Sequence, residues 1–262
     1  MRVARLTGAT LHWREDGDAA GPAVVFANSL GTDLRLWDAV VKRLPKHLRL
    51  IRYDKRGHGL SSCPAGPYSI EDLAQDALEL LDHAGVETCV FVGLSIGGMI
   101  AQTLAARAPE RVSALVLSNT ASKMGEAQMW QDRIAAIEAG GIAALSEAVM
   151  QRWFAPAFLG TDAHLPWRHM LERTPQAGYI ACCQAIAGTD LSALTPTLRQ
   201  PTLGIAGSQD GASPAALVEA TIDLLPDARF TVIEDTGHLP CVEAPEAYAG
   251  ALLEFLKEVG HV

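Results

Sequence analysis

The sequence predicts an α/β domain: a mostly parallel central sheet with helices on both faces and a helical cap inserted after the sixth strand. Three observations predict it. Short apolar runs alternate with helical patterns over residues 1–121. That alternation stops over 122–194, where helical stretches follow one another without a convincing strand. It resumes over 195–262. Strand–helix alternation packs as parallel strands whose crossover helices cover both faces of the sheet. The chain thus divides into a first core segment (1–121), a cap (122–194) and a second core segment (195–262).

The elements can be taken in order. The opening stretches MRVARLTG and ATLHWRED alternate apolar and polar residues and predict an antiparallel edge hairpin. AVVFAN (23–28) and LRLIRYD (48–54) are short, apolar and rich in β-branched or aromatic residues, which predicts buried strands. SIEDLAQDALELLDHAG follows with apolar residues at helical spacing. Ser69 stands at the N-cap, Asp72 three residues on, and Gly85 ends the pattern. CVFVG (89–93) is a further strand and GMIAQTLAARA a helix that stops at Pro109. RVSALVLSNT supplies the sixth strand. In the cap, AQMWQDRIAAIEAG and GIAALSEAVMQRWF are helical. QPTLGIAGSQD and ARFTVIED then return to strand character.

Bulk properties exclude several classes. The chain has 262 residues, 49% of them hydrophobic, enough for a sizeable core. No apolar run reads as membrane-spanning, and the start lacks the apolar region of a secretory signal. Five cysteines with no CxxC argue against a disulfide framework, and adjacent Cys182 and Cys183 read as small apolar filler in a helix. These features predict a cytoplasmic protein. The net charge of −9 disfavours nucleic acid and anionic membranes as partners. No Cys/His/Asp cluster has metal-ligand spacing and no glycine-rich phosphate loop is present, so no metal or cofactor is expected.

The most informative stretch is CVFVGLSIGGM, residues 89–99. Ser95 lies between Gly93 and Gly97, after a strand and before a helix. A lone serine there could cap the helix. A sharp strand-to-helix turn with small neighbours instead lifts its hydroxyl out of the sheet, above a helix N-terminus that favours negative charge. A serine nucleophile needs a base and an acid. His238, just past the strand in FTVIEDTG, is the candidate base among eight histidines. Asp210, just past TLGIAGSQ, is the candidate acid, with Asp54, Asp190 and Asp235 as competitors. Asp54 also ends a strand, but its neighbours Gly57, His58 and Gly59 read as turn chemistry. Loops at the carboxyl ends of strands gather on one face, so Ser95, Asp210 and His238 can meet. The oxyanion donors would be the backbone N–H groups of Ile96 and Leu30, the latter in the loop Asn28-Ser29-Leu30-Gly31.

GLSIGG, the strand-borne Asp210 and the late DTGH resemble the α/β-hydrolase superfamily over essentially the whole chain. NSLGTDLRLWD, RYDKRGHGLS, GPYSIEDLAQDALELLD, SNTASK, MWQDRIAAI, QRWFAPAF and GYIACCQAIAGTDL are similar to one branch, the 3-oxoadipate enol-lactonases of the β-ketoadipate pathway of aromatic catabolism. The resemblance implies a serine esterase that opens an enol-lactone through an acyl-enzyme, with no cofactor. That substrate carries a carboxylate, so a cation in the cap should face the site. Trp130 and Arg133 share one helix face. With Trp153 they are the candidate substrate contacts, and Lys123 and Arg152 come next. The rivals are a carboxylesterase or perhydrolase for small neutral esters and a non-catalytic ligand receptor on the same scaffold. The sequence leaves the oligomeric state open.

Overall fold

The computed structural model describes residues 2–262. Eight strands form one sheet in the order β1-β2-β4-β3-β5-β6-β7-β8. They are β1 (Arg2–Arg5), β2 (Thr10–Gly17), β3 (Ala23–Ala27), β4 (Arg49–Tyr53), β5 (Cys89–Leu94), β6 (Val112–Ser118), β7 (Thr202–Gly207) and β8 (Ala228–Ile233). β1 pairs antiparallel with β2, the edge hairpin that the alternating opening stretches predict, and β2 also pairs antiparallel with β4. All other pairings are parallel. The central strands β3, β5 and β7 are buried at every residue, which explains their unbroken apolar runs.

The helices are α1 (Asp38–Val41), α2 (Ile70–Ala84), α3 (Ile96–Arg107), α4 (Ala127–Trp153), α5 (Pro156–Leu159), α6 (Leu165–Glu172), α7 (Gln176–Ala187), α8 (Ala215–Ile222), α9 (Pro240–Glu243) and α10 (Pro245–Glu258). Helix α2 begins with a full capping box: the Ser69 hydroxyl accepts from the Asp72 N–H, and the Asp72 carboxylate accepts from the Ser69 N–H. It ends at Gly85, whose φ of 63° suits a residue without a Cβ. Helix α3 packs on α2 and on β3, β5 and β6, while α10 packs on α1, α9 and β8.

Between β6 and β7 the regular elements are helical, forming the cap. The two helical stretches expected there are both present within α4, separated by non-helical backbone at Gly141 (φ 75°, ψ 170°). By length and composition alone Ala127–Trp153 passes as a membrane span, but the break at Gly141 leaves neither half long enough. Here it packs against α6 and α7. Cys182 and Cys183 are buried on α7, and all five cysteines are free. The cap closes on the core at Gly57 and Gly178, where a Cβ on either residue would strike the other's backbone.

Candidate active site

The parallel strands direct a set of loops to one edge of the sheet. Ser95 follows β5, Asn28–Thr32 follow β3, Asn119 follows β6, Asp210 follows β7 and His238 follows β8. The turn at Ser95 is strained, with φ 60° and ψ −121°. Its neighbours explain why it survives. A Cβ on Gly93 would collide with the Gly97 carbonyl, and one on Gly97 with the Ala27 carbonyl. The Ser95 N–H donates to the Ser118 carbonyl at 2.9 Å, and the Thr120 hydroxyl donates to the Ser95 carbonyl at 2.7 Å. Ser95 occupies the N-cap position of α3, yet its side chain makes no capping hydrogen bond. The hydroxyl is left for the cavity above.

His238 and Asp210 are joined, Nδ1 to Oδ2 at 2.8 Å, with both side chains buried. Asp210 is held from two further sides. Its Oδ1 accepts from the N–H groups of Ala212 (2.7 Å) and Ser213 (2.9 Å), and its Oδ2 from Asn119 Nδ2 (2.8 Å). The competing acids are engaged elsewhere. Asp54 accepts from the N–H groups of Leu34 and Leu60 and pairs with His12. Asp190 caps the Ser192 N–H, and Asp235 is exposed beside Gln209. His58 is buried, with Nε2 accepting from the Gly31 N–H at 2.9 Å. Burial and the nearby Lys55 charge hold its pKa well below the usual histidine range.

Ser95 and His238 line one cavity of about 140 Å³. Leu30, Trp130, Arg133 and Trp153 line it too, so the expected substrate contacts meet the expected nucleophile and base. Ile96 is the first residue of α3, so its N–H has no acceptor within the helix. Among the described residues the Leu30 N–H also has no acceptor. Arg133 stacks over the Trp130 ring at 5.0 Å, and its Nη1 lies 3.5 Å from the Tyr179 hydroxyl. Arg152 lines the same space, while Lys123 is instead paired with Glu126. Among the described residues neither Arg133 nor Arg152 forms an ion pair. Partial burial and the neighbouring Arg133 lower the Arg152 pKa, and burial pushes the Tyr179 hydroxyl up to about 12.

Sequence reasoning missed several residues here. Ser29 Oγ lies 3.5 Å from His238 Nε2, Tyr179 walls the cavity, and Asn119 braces the acid. Glu243 accepts from the N–H groups of Gly237 (2.6 Å) and Ala155 (2.9 Å), tying the His238 loop to the end of the cap helix. Asn119 alone carried a local signal, since it follows a strand as Asp210 does. A larger cleft of about 680 Å³, bordered by His12, Arg35 and Arg173, contains none of Ser95, Asp210 and His238. Among the described residues no group of three or more His, Cys, Asp or Glu side chains could hold a metal ion.

A serine on a strained strand-to-helix turn after a parallel strand, sharing a cavity with the histidine of an Asp–His pair from later strands, is the arrangement of a hydrolase of the α/β type. The chain belongs to the α/β-hydrolase fold family, whose model matches residues 22–166. It is 35% identical over 249 residues to 3-oxoadipate enol-lactonase 2 of Acinetobacter baylyi, covering 94% of this chain and 93% of that protein. The crystal structure of the enol-lactonase from Burkholderia xenovorans LB400 superposes with a TM-score of 0.94 at 35% identity, covering 98% of this chain and all of that one. A thermophilic esterase from Thermogutta terrifontis, solved with malate bound, superposes with a TM-score of 0.93 at 27% identity over the full length of both chains.

Proposed function

We propose that this protein is a serine hydrolase that opens a small lactone bearing a free carboxylate, with 3-oxoadipate enol-lactone as its substrate in aromatic-compound catabolism. One observation carries the choice of an anionic substrate. The cavity that holds Ser95 and His238 also holds two guanidinium groups that have no carboxylate partner among the described residues, in a chain of net charge −9. Unpaired, half-buried like charges are unfavourable unless a ligand supplies the counter-charge. The relatives named as enol-lactonases and the malate bound to a neighbouring esterase agree with a carboxylate-bearing ligand.

In this reading Ser95 Oγ attacks the lactone carbonyl as His238 Nε2 takes its proton. Asp210, held by four hydrogen bonds, keeps the imidazole oriented and stabilises its charged form. The N–H groups of Leu30 and Ile96 receive the developing oxyanion. Ring opening expels an enolate, which His238 protonates and which settles as a ketone. Water, activated by His238, then releases the diacid from Ser95. Arg133 and Arg152 hold the remote carboxylate against the Trp130 and Trp153 wall, so residues 122–194 act as a specificity cap. The five free cysteines support work in a reducing cytoplasm.

The test is hydrolysis of freshly generated 3-oxoadipate enol-lactone beside a neutral p-nitrophenyl ester, in wild type and Ser95→Ala. Lactone turnover that Ser95→Ala abolishes is the expected result. Turnover of the neutral ester alone would keep the nucleophile and discard the substrate. Turnover of neither by wild type would favour a ligand receptor.

A further inference from the structure

Lys55 lies beneath the loop that carries one oxyanion donor. Its side chain is buried, and its ammonium contacts backbone carbonyls of that loop: Ser29 O at 2.6 Å, Asn28 O at 3.4 Å and Thr32 O at 3.4 Å. Among the described residues it pairs with no carboxylate. The Ser29 carbonyl and the Leu30 N–H are the two ends of one peptide group. The Leu30 N–H is the donor assigned to the oxyanion above, and the inference rests on that assignment. We propose that Lys55 is a positioning residue that orients and polarises the Ser29–Leu30 peptide, strengthening its N–H as an oxyanion donor.

The physical argument has two parts. A cation at the carbonyl end of a peptide draws electron density toward the oxygen and leaves the N–H more positive, and hydrogen bonds in series reinforce one another in a low-dielectric interior. A fixed dipole aimed at a developing negative charge acts without reorganisation at the moment of reaction. The loop does not need the charge merely to keep its shape. The Ser29 carbonyl also accepts from the Thr32 hydroxyl at 2.9 Å and the Thr32 N–H at 3.3 Å. Asn28 Nδ2 donates to the Thr32 carbonyl, and Gly31 donates to His58. A buried ammonium is therefore spent on a peptide that neutral donors already hold.

The charge can also be titrated. Burial lowers the Lys55 pKa to about 8, opposed by Cys182 on α7 and by Asp54 and Asp33. His58, the other titratable group beside it, is already neutral there. The ammonium is thus lost as pH rises through about 8, and oxyanion stabilisation falls with it.

The test measures kcat, KM and the pH profile for a p-nitrophenyl ester in wild type, Lys55→Met, Lys55→Arg and Ser95→Ala. Lys55→Met should lower kcat about tenfold, less than the loss of a whole oxyanion donor, with KM within about twofold. It should also abolish an alkaline fall in kcat centred near pH 8, which Lys55→Arg should move to higher pH. A Lys55→Met enzyme with wild-type kcat, or with the alkaline fall intact, would overturn the inference. Should Lys55→Met not fold, the wild-type profile decides: a fall near pH 8 supports the role, and a flat kcat from roughly pH 7 to 9.5 refutes it. Retained activity in Ser95→Ala would instead sink the assignment of the site itself.

Discussion

Replacing Arg133 by Met removes a guanidinium from the cavity while keeping an unbranched stem to pack over the Trp130 ring. At about 4 Å and an effective dielectric of about 20, a guanidinium–carboxylate pair attracts by about 4 kcal/mol. Arg133 is only half-buried, so solvent and the desolvation of both ions offset much of that. Net values for hydrogen bonds to charged groups run to about 1.5–3 kcal/mol. Taking about 2 kcal/mol, and about 1.4 kcal/mol per tenfold, KM for the carboxylate-bearing lactone should rise about thirtyfold. KM for a neutral p-nitrophenyl ester should change less than about twofold, because no charge contact is lost. Arg152 remains and loses a repelling neighbour, so Arg133→Met/Arg152→Met should raise KM further without simple additivity. Steady-state kinetics on both substrates, at two salt concentrations, make the assay; added salt should raise KM for the lactone alone. Equal changes for the two substrates, or a lactone KM untouched in both the single and the double variant, would refute electrostatic recognition by the cap.

Three further outcomes are expected. Asn119→Gly removes one of four hydrogen bonds to Asp210 without straining a backbone whose φ is 47°, and should lower kcat about tenfold with little change in KM. Glu243 is buried enough to raise its carboxyl pKa from 4.5 to about 7 against the pull of two N–H donors. The protonated form is thus the one the fold favours, and its contribution is present below pH 4.5 and lost as pH rises through about 7. Urea midpoints of wild type should fall relative to Glu243→Gln over that interval and run parallel above it. Gly250 sits exposed inside α10 with open space around its would-be Cβ, so Gly250→Ala should raise stability by about 0.5–1 kcal/mol in the same titration, with activity unchanged.

Much of this protein is legible in order along the chain, because the deciding interactions are local. The Ser69–Asp72 capping box and the stop at Gly85 span one helix. The runs that become β3, β5 and β7 announce burial on both faces of a sheet by lacking charged residues. The turn at Ser95 needs Gly93 and Gly97 within two residues, and the chain supplies both. Trp130 and Arg133 lie three apart on one helix, so their shared face follows from helical spacing. By contrast, placement after a buried strand does not separate Asp210 from Asp54, and only the turn residues Gly57, His58 and Gly59 set Asp54 apart locally. Only the folded chain brings His12, Leu34 and Leu60 to Asp54, and Asn119, Ala212, Ser213 and His238 to Asp210. The same holds for Arg152 and Tyr179 in the cavity, Glu243 under the His238 loop and Lys55 beneath Ser29. Periodicity and turn chemistry act over a few residues and are written in sequence order. Which buried charge meets which partner depends on strand order and cap placement, which bring together residues tens to hundreds of positions apart.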